Sequence, residues 1–267
     1  MASSYPQVVL LGDSLLQRSV DLDQGFSFQA ALQSHCIRRL DVVNRGFSGW
    51  NTSNVVKYLD TIIPKPTEST PKMRYIIILL GANDAVVSSS WTKQHVPIDE
   101  YKKNLTQIVT HANIRAHSPK ILLVTPPPID EIKLTKLDRD AGLAECIRVF
   151  ETSAAYSEKA REVARENAGV VLIDFWQALM NKAISLAPDE YQEGGPWLGS
   201  LANGKAGGLD SLLPDGLHLS GEAYRVLWEK IRRHIGSDDA AQDSSGYLYP
   251  DWRELCNLGA APGSSSL

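Results

Sequence analysis

The sequence predicts one α/β domain in which a five-stranded parallel sheet lies between two layers of helices. Five short runs rich in Val, Ile and Leu recur along the chain, each of strand length. The runs are continuous rather than alternating, which is typical of strands buried on both faces. Segments with helical spacing separate them, and this alternation predicts a three-layer, flavodoxin-like doubly wound fold.

The five apolar runs define the predicted strands. They occupy residues 7–12, 40–46, 74–81, 120–128 and 169–175. In a doubly wound sheet, ligands bind outside the carboxyl ends of the strands. We therefore expect the functional residues to follow these runs directly.

The predicted helices lie between and after the strands. Apolar residues recur three and four positions apart in residues 27–40, 98–116, 145–169 and 220–236. Ser220 suits the start of the last helix and Gly236 its end. Residues 186–213 instead form a long Gly-rich stretch, and such loops in compact domains are usually functional or disordered.

Composition is that of an ordinary globular protein, with 43% hydrophobic and 22% charged residues in 267. We assign residues 1–236 to the domain and 237–267 to a C-terminal extension. The aromatic part of the extension should dock on the domain, and its last residues should be disordered. The three cysteines lie far apart, which favours reduced thiols in a cytoplasmic protein over a disulfide framework.

Charge and hydropathy exclude several classes of partner. A net charge of −4 does not fit a nucleic-acid-binding surface, which needs clustered Lys and Arg. The amino terminus lacks the basic segment of a signal peptide, and the first apolar run is too short to span a membrane. We expect a small-molecule substrate, with a second copy of the chain as the candidate protein partner.

Polar residues capable of chemistry follow the predicted strands. Ser14 comes directly after the first, and Asp215 and His218 lie three residues apart before the last helix. Acyl transfer needs a hydroxyl, an imidazole to take its proton and a carboxylate to orient the imidazole, and these three residues supply that set. Taken alone, Ser14 fits a helix cap better than a nucleophile, and only the combination with the other residues favours the nucleophile.

Candidate donors to a developing oxyanion also lie at strand ends. The backbone amide of Ser14 is one, because the first amides of a helix have no partner within it. Gly49 allows close approach of the backbone to a ligand, and Asn83 carries a side-chain amide. Three donors from three strand ends could converge on one oxygen.

At these residues the sequence resembles the GDSL or SGNH hydrolase superfamily. The matching blocks read "LLGDSLLQ", "NRGFSGWNT", "LLGANDA" and "LPDGLHLSGEAY". The resemblance implies the SGNH hydrolase fold, with Ser14 as nucleophile, Asp215 and His218 completing a triad, and Ser14, Gly49 and Asn83 forming the oxyanion hole. "QHVPIDEY" and "TPPPID" add a similarity to the isoamyl-acetate-hydrolysing esterase branch, which implies small acetate esters and no metal or cofactor.

Several alternatives stay open from the sequence. The same site would suit a lipase, a thioesterase or a carbohydrate O-acetyl esterase. A two-metal phosphoesterase and a non-catalytic nucleotide-binding module are other classes, although the chain has no phosphate-binding glycine motif. For the walls of the substrate pocket we select Trp50, Pro127, Trp197 and Leu198.

Overall fold

A computed structural model describes residues 5–143, 146–236, 247–250 and 252–256. Its five strands form one parallel sheet in the order β2-β1-β3-β4-β5, which confirms the predicted fold class. The strands are β1 (Gln7–Gly12), β2 (Asp41–Gly46), β3 (Met73–Leu79), β4 (Lys120–Val124) and β5 (Val170–Ile173).

The described residues contain eleven α-helices, several of them a single turn long. They are α1 (Ser14–Gln17), α2 (Phe28–His35), α3 (Thr52–Ile62), α4 (Ile98–Thr110), α5 (Ala112–His117), α6 (Glu131–Asp140), α7 (Phe150–Glu166), α8 (Phe175–Leu186), α9 (Leu209–Leu212), α10 (Gly221–Ile231) and α11 (Trp252–Leu255).

Two hydrophobic cores cover the two faces of the sheet. Successive side chains of a strand point to opposite faces, so Val8 and Leu10 of β1 enter one core and Val9 and Leu11 the other. Helices α2, α8 and α10 supply the first core, and α3, α4 and α7 the second. All four of these β1 side chains are buried, which explains why the strand has no polar alternation.

Two predicted segments differ in detail from the structure. Residues 98–116 form two helices, because His111 adopts an extended backbone between α4 and α5 and its side chain caps the second. The fourth strand ends at Val124, before the prolines at 126–128. Proline has no amide hydrogen to donate to a sheet, so the strand stops there.

The C-terminal residues that the structure describes contact the sheet at the amino ends of its strands. The amide of Leu248 donates to the carbonyl of Arg38 at 3.1 Å, and the Arg38 guanidinium donates to the carbonyls of Tyr249 and Pro250. Arg38 precedes β2, whereas Ser14 follows β1. These contacts therefore lie at the opposite end of the parallel strands from Ser14. The predicted disorder concerns residues outside the described ranges.

A helix that spans a membrane must be both long and apolar. Within the described ranges, every helix is too short or too polar to cross a bilayer.

Candidate active site

Ser14 is the first residue of α1, at the carboxyl end of β1. The Oδ1 atom of Asp13 accepts a hydrogen bond from the amide of Leu15 at 2.8 Å, so Asp13 caps the helix. The side chain of Ser14 is therefore free of the capping role that its position in the sequence also allowed. Ser14 is buried, with 7% of its surface exposed.

Asp215, His218 and Ser14 form a continuous chain of hydrogen bonds. His218 Nδ1 lies 2.6 Å from Asp215 Oδ2, and His218 Nε2 lies 3.0 Å from Ser14 Oγ. A carboxylate only accepts hydrogen bonds, so Nδ1 carries the proton and Nε2 accepts from the Ser14 hydroxyl. The structure thus joins the three residues that the sequence suggested for acyl transfer.

A tight turn fixes the orientation of the imidazole. Asp215 Oδ1 accepts from the amides of Leu217 at 3.0 Å and His218 at 2.7 Å, while Oδ2 holds the ring. Gly216 has a φ of +83°, and a Cβ there would lie 2.9 Å from the carbonyl oxygen of Asp130. Only glycine fits this turn without strain or a shift of the neighbouring backbone.

The carboxyl of Asp215 stays ionised in this setting. Partial burial opposes ionisation, but the hydrogen bonds from the His218 ring and from two backbone amides outweigh it and hold the pKa of Asp215 well below its usual range. A negative carboxylate beside Nδ1 favours an imidazolium when one forms.

Gly49 and Asn83 lie on adjoining segments that hydrogen bonds hold together. Asn83 Nδ2 donates to the carbonyl of Trp50 at 2.8 Å, and Gln94 Nε2 donates to the carbonyl of Gly49 at 2.8 Å. Gly49 has a φ of +79°, a conformation that other residues rarely adopt. The second and third predicted blocks therefore meet at the strand ends.

A buried arginine that the sequence motifs did not indicate also reaches this place. Arg148 donates to the carbonyl of Ala82 and, through Nη2 at 3.1 Å, to Asn83 Oδ1. Burial lowers the pKa of its guanidinium, an effect that the nearby Asp13, Asp138 and Asp215 carboxylates oppose. The only sequence signal was a lone arginine among apolar residues in "ECIRVF".

Asp13 and Asp84 are completely buried behind the site. Burial raises the pKa of Asp13 to about 7 and that of Asp84 to about 6. Asp84 Oδ1 accepts from the amide of Thr52 at 3.0 Å and from its hydroxyl, which ties the start of α3 to the third block. The Oδ2 atoms of both carboxyls have no partner among the described residues.

The residues selected for pocket walls lie in different surroundings. Trp50 stacks on Phe47 with ring centroids 4.4 Å apart, and Trp197 stacks on Tyr191 at 5.3 Å. Both tryptophans are partly buried. Pro127 and Leu198 are buried, and Leu198 belongs to the core on the α2, α8 and α10 face.

Metal ions in proteins are held by clustered His, Cys, Asp and Glu side chains. No group of three or more that could hold an ion occurs in the part of the chain that the structure describes.

Comparison with known proteins identifies the family. The model of the GDSL-like lipase/acylhydrolase family matches residues 10–226, which include every residue of the hydrogen-bonded chain. The chain belongs to this family. It is a carboxylic ester hydrolase.

Similar members come from animals and plants. The chain is 30% identical over 268 residues to the isoamyl acetate-hydrolyzing esterase 1 homolog of Rattus norvegicus, covering 94% of this chain and 88% of that protein. It is 29% identical over 233 residues to the GDSL esterase/lipase WDL1 of Oryza sativa subsp. japonica, covering 87% and 78%. The resemblance inferred from the sequence motifs is confirmed.

Solved structures share the fold of this hydrolase. The acetyl xylan esterase AlAXEase superposes with a TM-score of 0.61 at 17% identity, covering 86% of this chain and 99% of that one. A catalytic mutant of Axe2, an acetylxylan esterase from Geobacillus stearothermophilus, gives 0.58 at 18% identity, covering 88% and 97%. At these identities the likeness concerns the fold.

Proposed function

We propose that this protein is a serine esterase that hydrolyses small carboxylic esters, acetates foremost, through an acyl-enzyme on Ser14. The observation that carries the proposal is the hydrogen-bonded chain from Ser14 Oγ through His218 to Asp215, with separations of 3.0 Å and 2.6 Å. Nucleophile, base and orienting carboxylate are thus within reach of one another before substrate binds.

Acylation begins with attack by Ser14 Oγ on the ester carbonyl carbon. His218 Nε2 takes the hydroxyl proton, and the carbonyl oxygen becomes negative in the tetrahedral intermediate. The Ser14 and Gly49 amides and Asn83 Nδ2 donate to that oxygen. Collapse of the intermediate breaks the bond to the alcohol oxygen, which leaves with the proton from His218.

Deacylation repeats the sequence with water as nucleophile. His218 removes a proton from water, the resulting hydroxide attacks the acyl carbon, and a second tetrahedral intermediate forms. When it collapses, the bond to Ser14 Oγ breaks and His218 returns its proton to that oxygen. The products are the acid and the regenerated enzyme.

The preference for acetates is supported by similar proteins. Relatives are named for hydrolysis of isoamyl acetate, and proteins of similar fold are named for removal of acetyl groups from xylan. A lipase, a thioesterase and a carbohydrate O-acetyl esterase would use the same three residues. One or two methylenes change binding by only about 1–3 kcal/mol, so chain length must be measured.

Substitution of Ser14 tests the proposal. Ser14→Ala should lower kcat for p-nitrophenyl acetate by about 10⁴-fold or more, because the nucleophile is lost while the fold remains. Ser19→Ala is the matched control: this nearby hydroxyl is buried and makes no side-chain hydrogen bond within the described residues. Initial rates over acetate to octanoate esters and acetylated xylooligosaccharides complete the measurement.

The possible results separate the parts of the proposal. A folded Ser14→Ala variant with wild-type rates would disprove the nucleophile assignment. Faster hydrolysis of octanoate than of acetate would disprove the acetate preference and favour a lipase. Activity confined to the acetylated sugars would favour the carbohydrate esterase.

A further inference from the structure

Arg148 is a buried charged side chain whose guanidinium donates to two residues of the third block, Ala82 and Asn83. It is 7% exposed and lies two residues before α7, on a segment that crosses to the carboxyl end of β3. A whole buried ion pair can often be replaced by apolar residues without loss of stability, whereas removal of one charged partner alone is destabilising. The burial of Arg148 is therefore best explained by the residues that its guanidinium contacts.

The guanidinium determines which way the Asn83 amide faces. Arginine has only donors, so the atom of Asn83 that accepts from Nη2 must be Oδ1. The amide nitrogen then lies on the other side, where one hydrogen goes to the carbonyl of Trp50 at 2.8 Å. In the proposed mechanism, the second hydrogen of Nδ2 is the one that donates to the ester oxygen.

Arg148 is itself held firmly by its own segment. An isolated β-bridge pairs Arg148 with Val86, and the amide of Val87 donates to the carbonyl of Ile147 at 2.9 Å. Asp138 Oδ2 accepts from the amide of Ile147 at 3.0 Å on the other side. The guanidinium thus sits on a backbone joined both to the third block and to α6.

We propose that Arg148 is a positioning residue for ester hydrolysis, locking the Asn83 side chain with Nδ2 directed at the scissile carbonyl oxygen. The inference rests on the proposed function, because it assigns Arg148 a role through the oxyanion hole. The positive charge of Arg148 also lies next to Asn83, the residue that would donate to the negatively charged oxygen of the transition state. Arg148 touches Asn83 rather than the substrate.

A double-mutant cycle tests the proposal in the full-length chain. Arg148→Met keeps the length of the side chain and removes its donors. It should lower kcat for p-nitrophenyl acetate by about 10- to 100-fold with KM nearly unchanged, because the amide is misplaced for the transition state. Asn83→Ala should lower kcat by about 10²- to 10³-fold, as loss of an oxyanion donor does.

The double variant distinguishes positioning from general support. If Arg148 acts through Asn83, then adding Arg148→Met to Asn83→Ala should reduce kcat no further. Losses that multiply would overturn the proposal, as would an unchanged kcat in Arg148→Met. A wild-type chain without Ser14-dependent hydrolysis would instead overturn the proposed function, and this inference with it.

Two further variants keep the result interpretable. Arg161→Met removes a partly buried arginine of α7 that pairs with Asp174 at 3.0 Å outside the site, and it should leave kcat at the wild-type value. Arg148→Lys retains the charge and a donor, so it should fold even where the methionine variant does not. It should recover part of kcat. A lysine variant with the wild-type kcat would show that positioning of Asn83 does not need the two guanidinium hydrogen bonds.

Discussion

At the residue scale, two carboxyls near His218 differ in their burial and in their hydrogen bonds. Asp215 has three hydrogen bonds and remains ionised. Asp13 has one, and its second oxygen has no partner among the described residues. The two carboxylates lie near the same histidine, yet burial moves the pKa of Asp13 up while hydrogen bonds move that of Asp215 down.

The raised pKa of Asp13 predicts a change of stability with pH. The folded state keeps this proton up to about pH 7, whereas the unfolded chain releases it near the ordinary value of 3.8. The unfolded state therefore binds fewer protons between these values, and the wild type loses stability as pH rises. The loss is on the order of 1.4 kcal/mol per pH unit in that window.

Asp13→Asn should remove the part of this dependence that comes from Asp13 and leave the part that comes from Asp84, whose pKa burial raises to about 6. An amide oxygen can still accept from the Leu15 amide, and it carries no charge to bury. Urea unfolding at pH 4 and pH 8 should give similar stability for variant and wild type at pH 4, and a more stable variant at pH 8. Asp21→Asn, at an exposed carboxyl, is the control, and an equal pH effect in both variants would contradict the assignment.

Site residues could be predicted from the sequence where their chemical type and their position along the chain indicated a site. Ser14 follows this rule, Asp215 and His218 were indicated by their spacing before the last helix, and the structure brings the three together. Arg148 does not follow it, because it contacts Asn83 across 65 positions from within a segment that the apolar spacing marked as helix. Hydrophobic periodicity over a short window of residues cannot indicate a contact that forms only when distant segments pack together.

At the element scale, strands were better predicted than the segments that join them. Buried parallel strands leave a continuous apolar run in the sequence, whereas the segment between α8 and α10 carries glycines and scattered apolar residues that fit either a pocket or a core. In the structure this segment packs inward, with Leu198, Leu209 and Leu212 fully buried.

Leu198 should therefore contribute to stability. Leu198→Ala should lower the free energy of unfolding by about 2–5 kcal/mol, since it leaves a cavity in the core. Leu201→Ala in the same loop, at a side chain that is 56% exposed, should change it by less than about 0.5 kcal/mol. Denaturant titration of both variants measures the free energy of unfolding. Equal losses in the two variants would contradict the assignment of Leu198 to the core.

At the scale of the whole molecule, Ser14 and the C-terminal contacts that the structure describes lie at opposite ends of the strands. β1 has six residues, so Ser14 and the segment around Leu248 are separated by about 20 Å of strand. The aromatic contacts of Tyr249 with Tyr5 and of Tyr247 with Arg38 hold that segment at the far end of the strands. We propose that residues 237–267 serve the stability of the domain rather than its catalysis.

A chain ending at Gly236 tests this division. It should hydrolyse p-nitrophenyl acetate with kcat/KM within about 2-fold of the full chain, because the described contacts of the extension lie far from Ser14 and groups far apart act nearly independently. Its thermal midpoint should fall, since the contacts to Arg38 are lost. A truncated chain that folds but loses activity would assign the extension a role in the site.

The distance along the chain between Ser14 and His218 has a consequence for biosynthesis if they act as proposed. The two residues are separated by 204 positions, and the Tyr224 hydroxyl of α10 donates to the carbonyl of Leu15, next to Ser14, at 2.6 Å. A growing polypeptide on the ribosome acquires Ser14 204 positions before it acquires the imidazole of His218. We therefore expect ester hydrolysis to begin only after α10 has packed against α1, so that the appearance of activity would report this late folding step.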